Sequence, residues 1–234
     1  MFKNKYFNLS ISTFTYYISI SVALSIFPLI LRDAGENMFF IGISNAMQRL
    51  AGLSFLLFVP YLVHKIGLKL LSVIIIALYT IPLALMPFYI NYKFWLVLVA
   101  LFGIGVRGFT TFLYSTINIT ATDEKRGLVN GIMNVVCLLA MSAMPVIFYF
   151  TSNYVIFAIC IVLNILNLFS FLQLENEYKN ITFIKNIKIV TFLRENILLY
   201  ISKFSFEFIK TTLFVFTIIY ANQNGWRDKE AGLL

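Results

Sequence analysis

Charged side chains are scarce in this chain. Asp, Glu, Lys and Arg make up only 12% of its 234 residues, about half the share found in soluble domains. Set against 60% apolar residues, that scarcity excludes an ordinary water-soluble globule, a disordered chain and a collagen-like repeat. Negative charge is scarcer than positive, with 10 Asp+Glu against 18 Lys+Arg and a net charge of +8. There is one histidine, His64, in a polar break, and there are two cysteines, Cys137 and Cys160, both inside apolar runs. Those cysteines support neither a disulfide framework nor a metal site. A single loop histidine gives no Ser/His or metal constellation within a bilayer, and neither a P-loop nor an H-E-x-x-H pattern occurs. The sequence gives no sign of an enzyme, and no cofactor is expected.

Apolar length is what the chain has instead. A membrane-crossing helix needs about 20 mostly apolar residues. Seven stretches qualify: 7–31, 39–63, 70–90, 94–121, 128–150, 153–174 and 198–221. The breaks between the first six are short and polar, and only 175–197 is long, carrying Glu175, Glu177, Lys179, Lys185, Lys188, Arg194 and Glu195. Runs such as LLSVIIIAL do not alternate in polarity, which excludes the strands of a barrel. Backbone groups in lipid must pair within their own segment, so these runs are predicted as helices. Lys3 and Lys5 before an apolar run resemble a signal peptide, but a run of 25 residues without a small-residue cleavage site predicts a retained helix. With the N-terminus inside, the inside flanks hold ten Lys and Arg and the outside flanks four. That bias predicts a cytoplasmic N-terminus and explains the net positive charge by topology rather than by nucleic acid.

Ionisable groups within spans are costly and are functional candidates by default. The first six spans hold two, Arg49 and Arg107, both about midway along their helices. Arg49 shares a small, polar face with Asn45, Gly42 and Gly52; Arg107 shares one with Gly103, Thr111, Tyr114 and Asn118. Such faces also suit plain helix packing. An unpaired guanidinium is suited to carboxylate or phosphate, which it grips through two parallel hydrogen bonds. Weaker cavity candidates are Thr13, Tyr17 and Ser21 in the first span and Asn130, Asn134, Cys137, Met141 and Pro145 in the fifth. The one carboxylate within a span is Glu207, flanked by Lys203 and Lys210 at helical spacing. It pairs either with those lysines or with an arginine across a cavity.

Six tightly linked helices, a charged loop and the start of a second series resemble the plan of the major facilitator superfamily of secondary transporters. Three local patterns carry the resemblance over about residues 7–221. The loop PYLVHKIGLKLL resembles the family's D-R-x-G-R-K signature, with Lys65, Gly67 and Lys69 in the basic, glycine and basic positions and His64 at the acidic one. FGIGVRGF in span four resembles the family's glycine-rich fourth helix, and Arg126-Gly127 in TDEKRGLVNGIMN resembles the basic-Gly pair of its 4–5 loop. Apart from the family, Gly67 permits a positive φ and a tight reversal, and Lys65 and Lys69 can face helix ends or lipid phosphates. The resemblance implies an all-α membrane fold in which residues 1–174 form a six-helix half of two inverted three-helix units. Residues 175–197 are then a cytoplasmic charged linker, and 198–234 a seventh span beginning the second half. It also implies that helices one, four and seven line the cavity, which favours Arg107 as a solute contact. His64, Lys65, Gly67, Lys69, Arg126 and Gly127 become gating-loop residues, with the gate's acidic contact missing.

The expected function is alternating-access transport of a small, anionic solute by a truncated or split member. The rival is a non-transporting assembly partner or an inactive remnant. Expected partners are the lipid bilayer, the solute, and either a separately encoded second half or a further copy in a homo-oligomer. The expected location is a bacterial inner (cell) membrane.

Overall fold

The structure, a computed structural model, describes residues 2–88, 91–150 and 152–174 together with scattered positions between 197 and 225. The charged linker as far as residue 196 and most of the seventh stretch, Glu207 included, lie outside the described residues. Six α-helices account for nearly all of what is described: α1 (Phe2–Asp33), α2 (Met38–Leu56), α3 (Val59–Leu85), α4 (Tyr92–Thr120), α5 (Arg126–Phe150) and α6 (Asn153–Leu174). At 1.5 Å per residue, α1 and α4 are each over 40 Å long, which exceeds a hydrocarbon core of about 30 Å. Five of the six are long and apolar enough to cross a membrane. The sixth, α2, is diluted by Asn45, Gln48 and Arg49.

The polar breaks supply the helix ends. Gly35, with φ 86°, closes α1, and the Glu36 N–H returns to the Leu31 carbonyl at 2.9 Å, a glycine-terminated helix end. Asn37 then caps α2 by accepting from the Phe40 N–H at 3.0 Å, and Asn91 caps α4 by accepting from the Lys93 N–H at 3.0 Å. Within the apolar stretch 39–63, α2 stops at Leu56 and α3 starts at Val59. Pro60 has no N–H for the Leu56 carbonyl, so the helical ladder breaks there. A second break lies inside α3 at Gly67, with φ 79° and ψ 158°, the positive φ that the loop reading foresees.

Two helix trios interlock. The principal partners of α4 are α2 and α3; those of α1 are α5 and α6; α3 also packs on α6. Exchanging α1, α2 and α3 for α4, α5 and α6 maps this pairing onto itself, as a two-fold relation between three-helix units requires. The start of α1 meets the ends of α4 and α6, through Tyr6 Oη to the Thr120 carbonyl (3.4 Å) and Asn8 Nδ2 to Gln173 Oε1 (2.9 Å). Six alternating passes bring those ends together.

Glycine sets how closely α4 is held. Gly103 lies against the backbone of Gln48 on α2, while Gly105 and Gly108 receive Tyr79 and Ile75 of α3. Without side chains at those points the helix backbones approach closely, which is how helices gain packing energy in lipid. Trp95 Nε1 donates to Ser44 Oγ at 3.2 Å and Tyr92 Oη to the Phe40 carbonyl at 3.0 Å. With Gly103 beside Gln48, these contacts ascend together in number, so α2 and α4 run parallel. Around them, Phe27, Trp95, Phe102, Phe109 and Tyr79 form the buried aromatic core.

Candidate functional site

Helix α4 carries small or polar residues at 103, 107, 111, 114 and 118, one helical face by its spacing. Arg107 is near its midpoint and half-buried. Its stem crosses α2 at Gly52, where an added Cβ would stand 2.5 Å from Arg107 Cγ and 2.6 Å from the Gly103 carbonyl oxygen. The glycine on α2 therefore makes the room through which the arginine passes. Among the described residues, nothing accepts a hydrogen bond from its guanidinium.

Of the other sequence candidates, the structure joins Tyr17 and Tyr114: their hydroxyls stand 3.2 Å apart between α1 and α4. Tyr114 is 41% exposed, so the pair borders open space. Directly behind it, Tyr16 Oη donates to the Val106 carbonyl at 2.7 Å and is hydrogen-bonded to Thr110 Oγ1. That buried phenol pins α1 to α4 one turn from Arg107 and fixes the spacing of the pair in front.

Thr111 and Asn45 are less available. Thr111 Oγ1 donates to the Arg107 carbonyl at 3.0 Å, and Asn45 Nδ2 to the Ile41 carbonyl at 3.2 Å, each within its own helix. Arg49, half-buried on α2 one turn from Gly52, is engaged in an interaction of its own. The loop candidates stand apart from this region: His64, Lys65, Gly67 and Lys69 are exposed, with Lys65 Nζ 5.8 Å from the Tyr61 ring centroid. Arg126 pairs with Asp123 at 2.6 Å (Nη2 to Oδ1), and Gly127 has open space beside it.

Sequence reasoning passed over a buried polar seam between α1 and α6. Ser12 Oγ donates to Asn167 Oδ1 at 2.5 Å, and Asn167 Nδ2 donates to Tyr79 Oη at 2.8 Å, tying α1, α6 and α3 together. One turn away Asn164 is fully buried, and among the described residues neither its Oδ1 nor its Nδ2 has a partner. Two asparagines three apart in an otherwise apolar span were the available signal. Other buried hydroxyls of α1 bond their own helix, as Thr13 does to the Leu9 carbonyl (2.8 Å) and Ser25 to the Ser21 carbonyl (3.0 Å).

Among the described residues, no group of three His, Cys, Asp or Glu side chains could hold a metal ion. The Arg107 face offers one cation and two phenol hydroxyls, an arrangement that can bind an anion. One family model matches the chain, that of the Major Facilitator Superfamily, over residues 9–234. A search among curated proteins finds no match.

Proposed function

The chain belongs to the Major Facilitator Superfamily, and from that footing we propose that it moves a small anionic solute by alternating access, with Arg107 as the principal solute contact. It is a multi-pass membrane protein of a transporter family; the solute, the orientation and the site residues are what is proposed. The observation that carries the reading is a mid-helix guanidinium with no acceptor among the described residues. A charge at that depth costs at least about 2.5 kcal/mol even on the mild insertion scale. A carboxylate or phosphate arriving in the cavity offsets that cost, and the planar guanidinium meets it with two parallel hydrogen bonds. Tyr17 and Tyr114 then stand as hydroxyl donors at the rim, and Arg49 adds positive potential from α2.

Residues 1–174 would form one six-helix half, with its N-terminus in the cytoplasm of a bacterial cell and 175–197 as an inside linker. The second wall of the cavity comes from a second half, whether in the same polypeptide, separately encoded or supplied by another copy. The test is a thermal-unfolding panel of the purified chain in detergent against small carboxylates and phosphates. At least one anion is expected to raise the midpoint. Arg107→Lys, which keeps the charge but loses the planar donors, should weaken that effect about tenfold, and Arg107→Gln should abolish it. Full retention in Arg107→Gln would remove Arg107 from the site. If Glu207 neutralises the arginine instead, either single change destabilises the chain and the double change to Gln recovers much of the loss.

A further inference from the structure

We propose that the solute is a linear acid with a second oxygen about 10 Å from its anionic group, held at one end by Arg107 and at the other by the Tyr17–Tyr114 pair. This assignment rests on anion binding at Arg107 and adds to it the solute's length and its second polar group. Residues 107 and 114 lie two turns apart on one face of α4. At 1.5 Å per residue, their Cα atoms are separated by about 10 Å along the helix axis. Side chains of a helix lean alike towards its N-terminus, so the two ends keep about that spacing.

The tyrosine end has an unspent donor. Tyr17 Oη and Tyr114 Oη stand 3.2 Å apart, on two different helices. Each phenol has one proton, and only one of the two can lie between the oxygens. Among the described residues, no other group accepts the second. Tyr17 is half-buried and Tyr114 exposed, so the pair is held by α1 and reachable from the open side of α4. A hydroxyl, carbonyl or ether oxygen of the solute is the acceptor that this proton fits.

Between the two ends the donors are spent. Thr111 Oγ1 already donates to the Arg107 carbonyl at 3.0 Å, so the middle of the stretch suits methylene groups. One turn beyond Tyr114, Asn118 Oδ1 accepts from Asn130 Nδ2 of α5 at 3.4 Å, which ends the open stretch. Consecutive Cα atoms, three bonds apart, are about 3.8 Å from each other, so the span from Arg107 to the tyrosines takes about eight bonds. An octanoate chain with a hydroxyl at its far end has that length.

The test is titration of the purified chain in detergent with ω-hydroxyoctanoate, octanoate and ω-hydroxybutanoate, read as the concentration that gives half the maximal rise in unfolding midpoint. All three bring a carboxylate to Arg107, and only the first also reaches the tyrosines. It should act at about tenfold lower concentration than either of the others, the worth of about one neutral hydrogen bond. Apolar burial cannot produce its advantage over octanoate, and a hydroxyl alone cannot produce its advantage over ω-hydroxybutanoate. Either phenol alone can still donate, so Tyr17→Phe and Tyr114→Phe together should bring ω-hydroxyoctanoate to the level of octanoate. Arg107→Gln should abolish the effect of all three. If none of the acids acts, or their effect survives Arg107→Gln, anion binding at Arg107 falls and the solute's length with it. If the acids act equally through Arg107, or the advantage of ω-hydroxyoctanoate survives the double Phe change, anion binding stands and this proposal is overturned. Should the double variant not fold, the comparison of the three acids on the unaltered chain decides.

Discussion

A methyl group on Gly103 would overlap the backbone carbonyl of Gln48. A carbonyl within a helix cannot swing aside, so the whole of α2 has to move. Gly103→Ala should therefore destabilise the chain by about 2 kcal/mol, the usual scale of overpacking, as read by thermal unfolding in detergent. Gly42→Ala, with nothing within 4 Å of the added atom, should instead stabilise by about 0.5 kcal/mol through backbone entropy alone. The asparagines of α6 make a second contrast. Asn167→Leu breaks two buried bonds and should lower the unfolding midpoint. Asn164→Leu removes a buried amide that has no partner among the described residues and should raise it, since an unsatisfied polar group costs about 1–3 kcal/mol. Sequence alone could place Gly103 and Arg107 on one face of a helix, but the partner of that face was not legible. That Gly52 is the surface Arg107 crosses depends on which helices meet, and that is a property of the bundle.

Among the elements, apolar length was the most readable signal. The predicted stretches 94–121, 128–150 and 153–174 match α4, α5 and α6 to within two residues at each end. The run 39–63 was harder, because hydropathy sees one apolar stretch where Pro60 interrupts the backbone ladder. Gly67 was legible for a different reason: a conformation with φ 79° and ψ 158° is closed to residues with a Cβ. Gly67→Ala should cost about 1–3 kcal/mol, visible as a lower unfolding midpoint, although its surroundings have ample space. The sense of each pass is testable separately. A reporter fused after residue 185 is expected to be cytoplasmic; an external reporter there would reverse the ten-to-four basic bias on which the orientation rests.

At the scale of the whole molecule, the interlocked trios bear on how the chain is made. The main partner of α2 is α4, not its neighbours α1 and α3. Yet α2 is the helix that fails the test of length and apolarity passed by the others. It leaves the ribosome well before α4, and at about 5–20 residues per second several seconds pass before Gly103 can cover Gln48. During that interval α2 lacks its main partner helix. Nascent chains stopped after residue 91 should leave a cysteine introduced at Ser44 open to water-soluble thiol reagents, whereas chains carried through residue 120 should protect it. The glycine seam of α4 thus acts during biosynthesis as the late-arriving half of a clasp, retaining in the bilayer a helix whose own composition holds it there weakly.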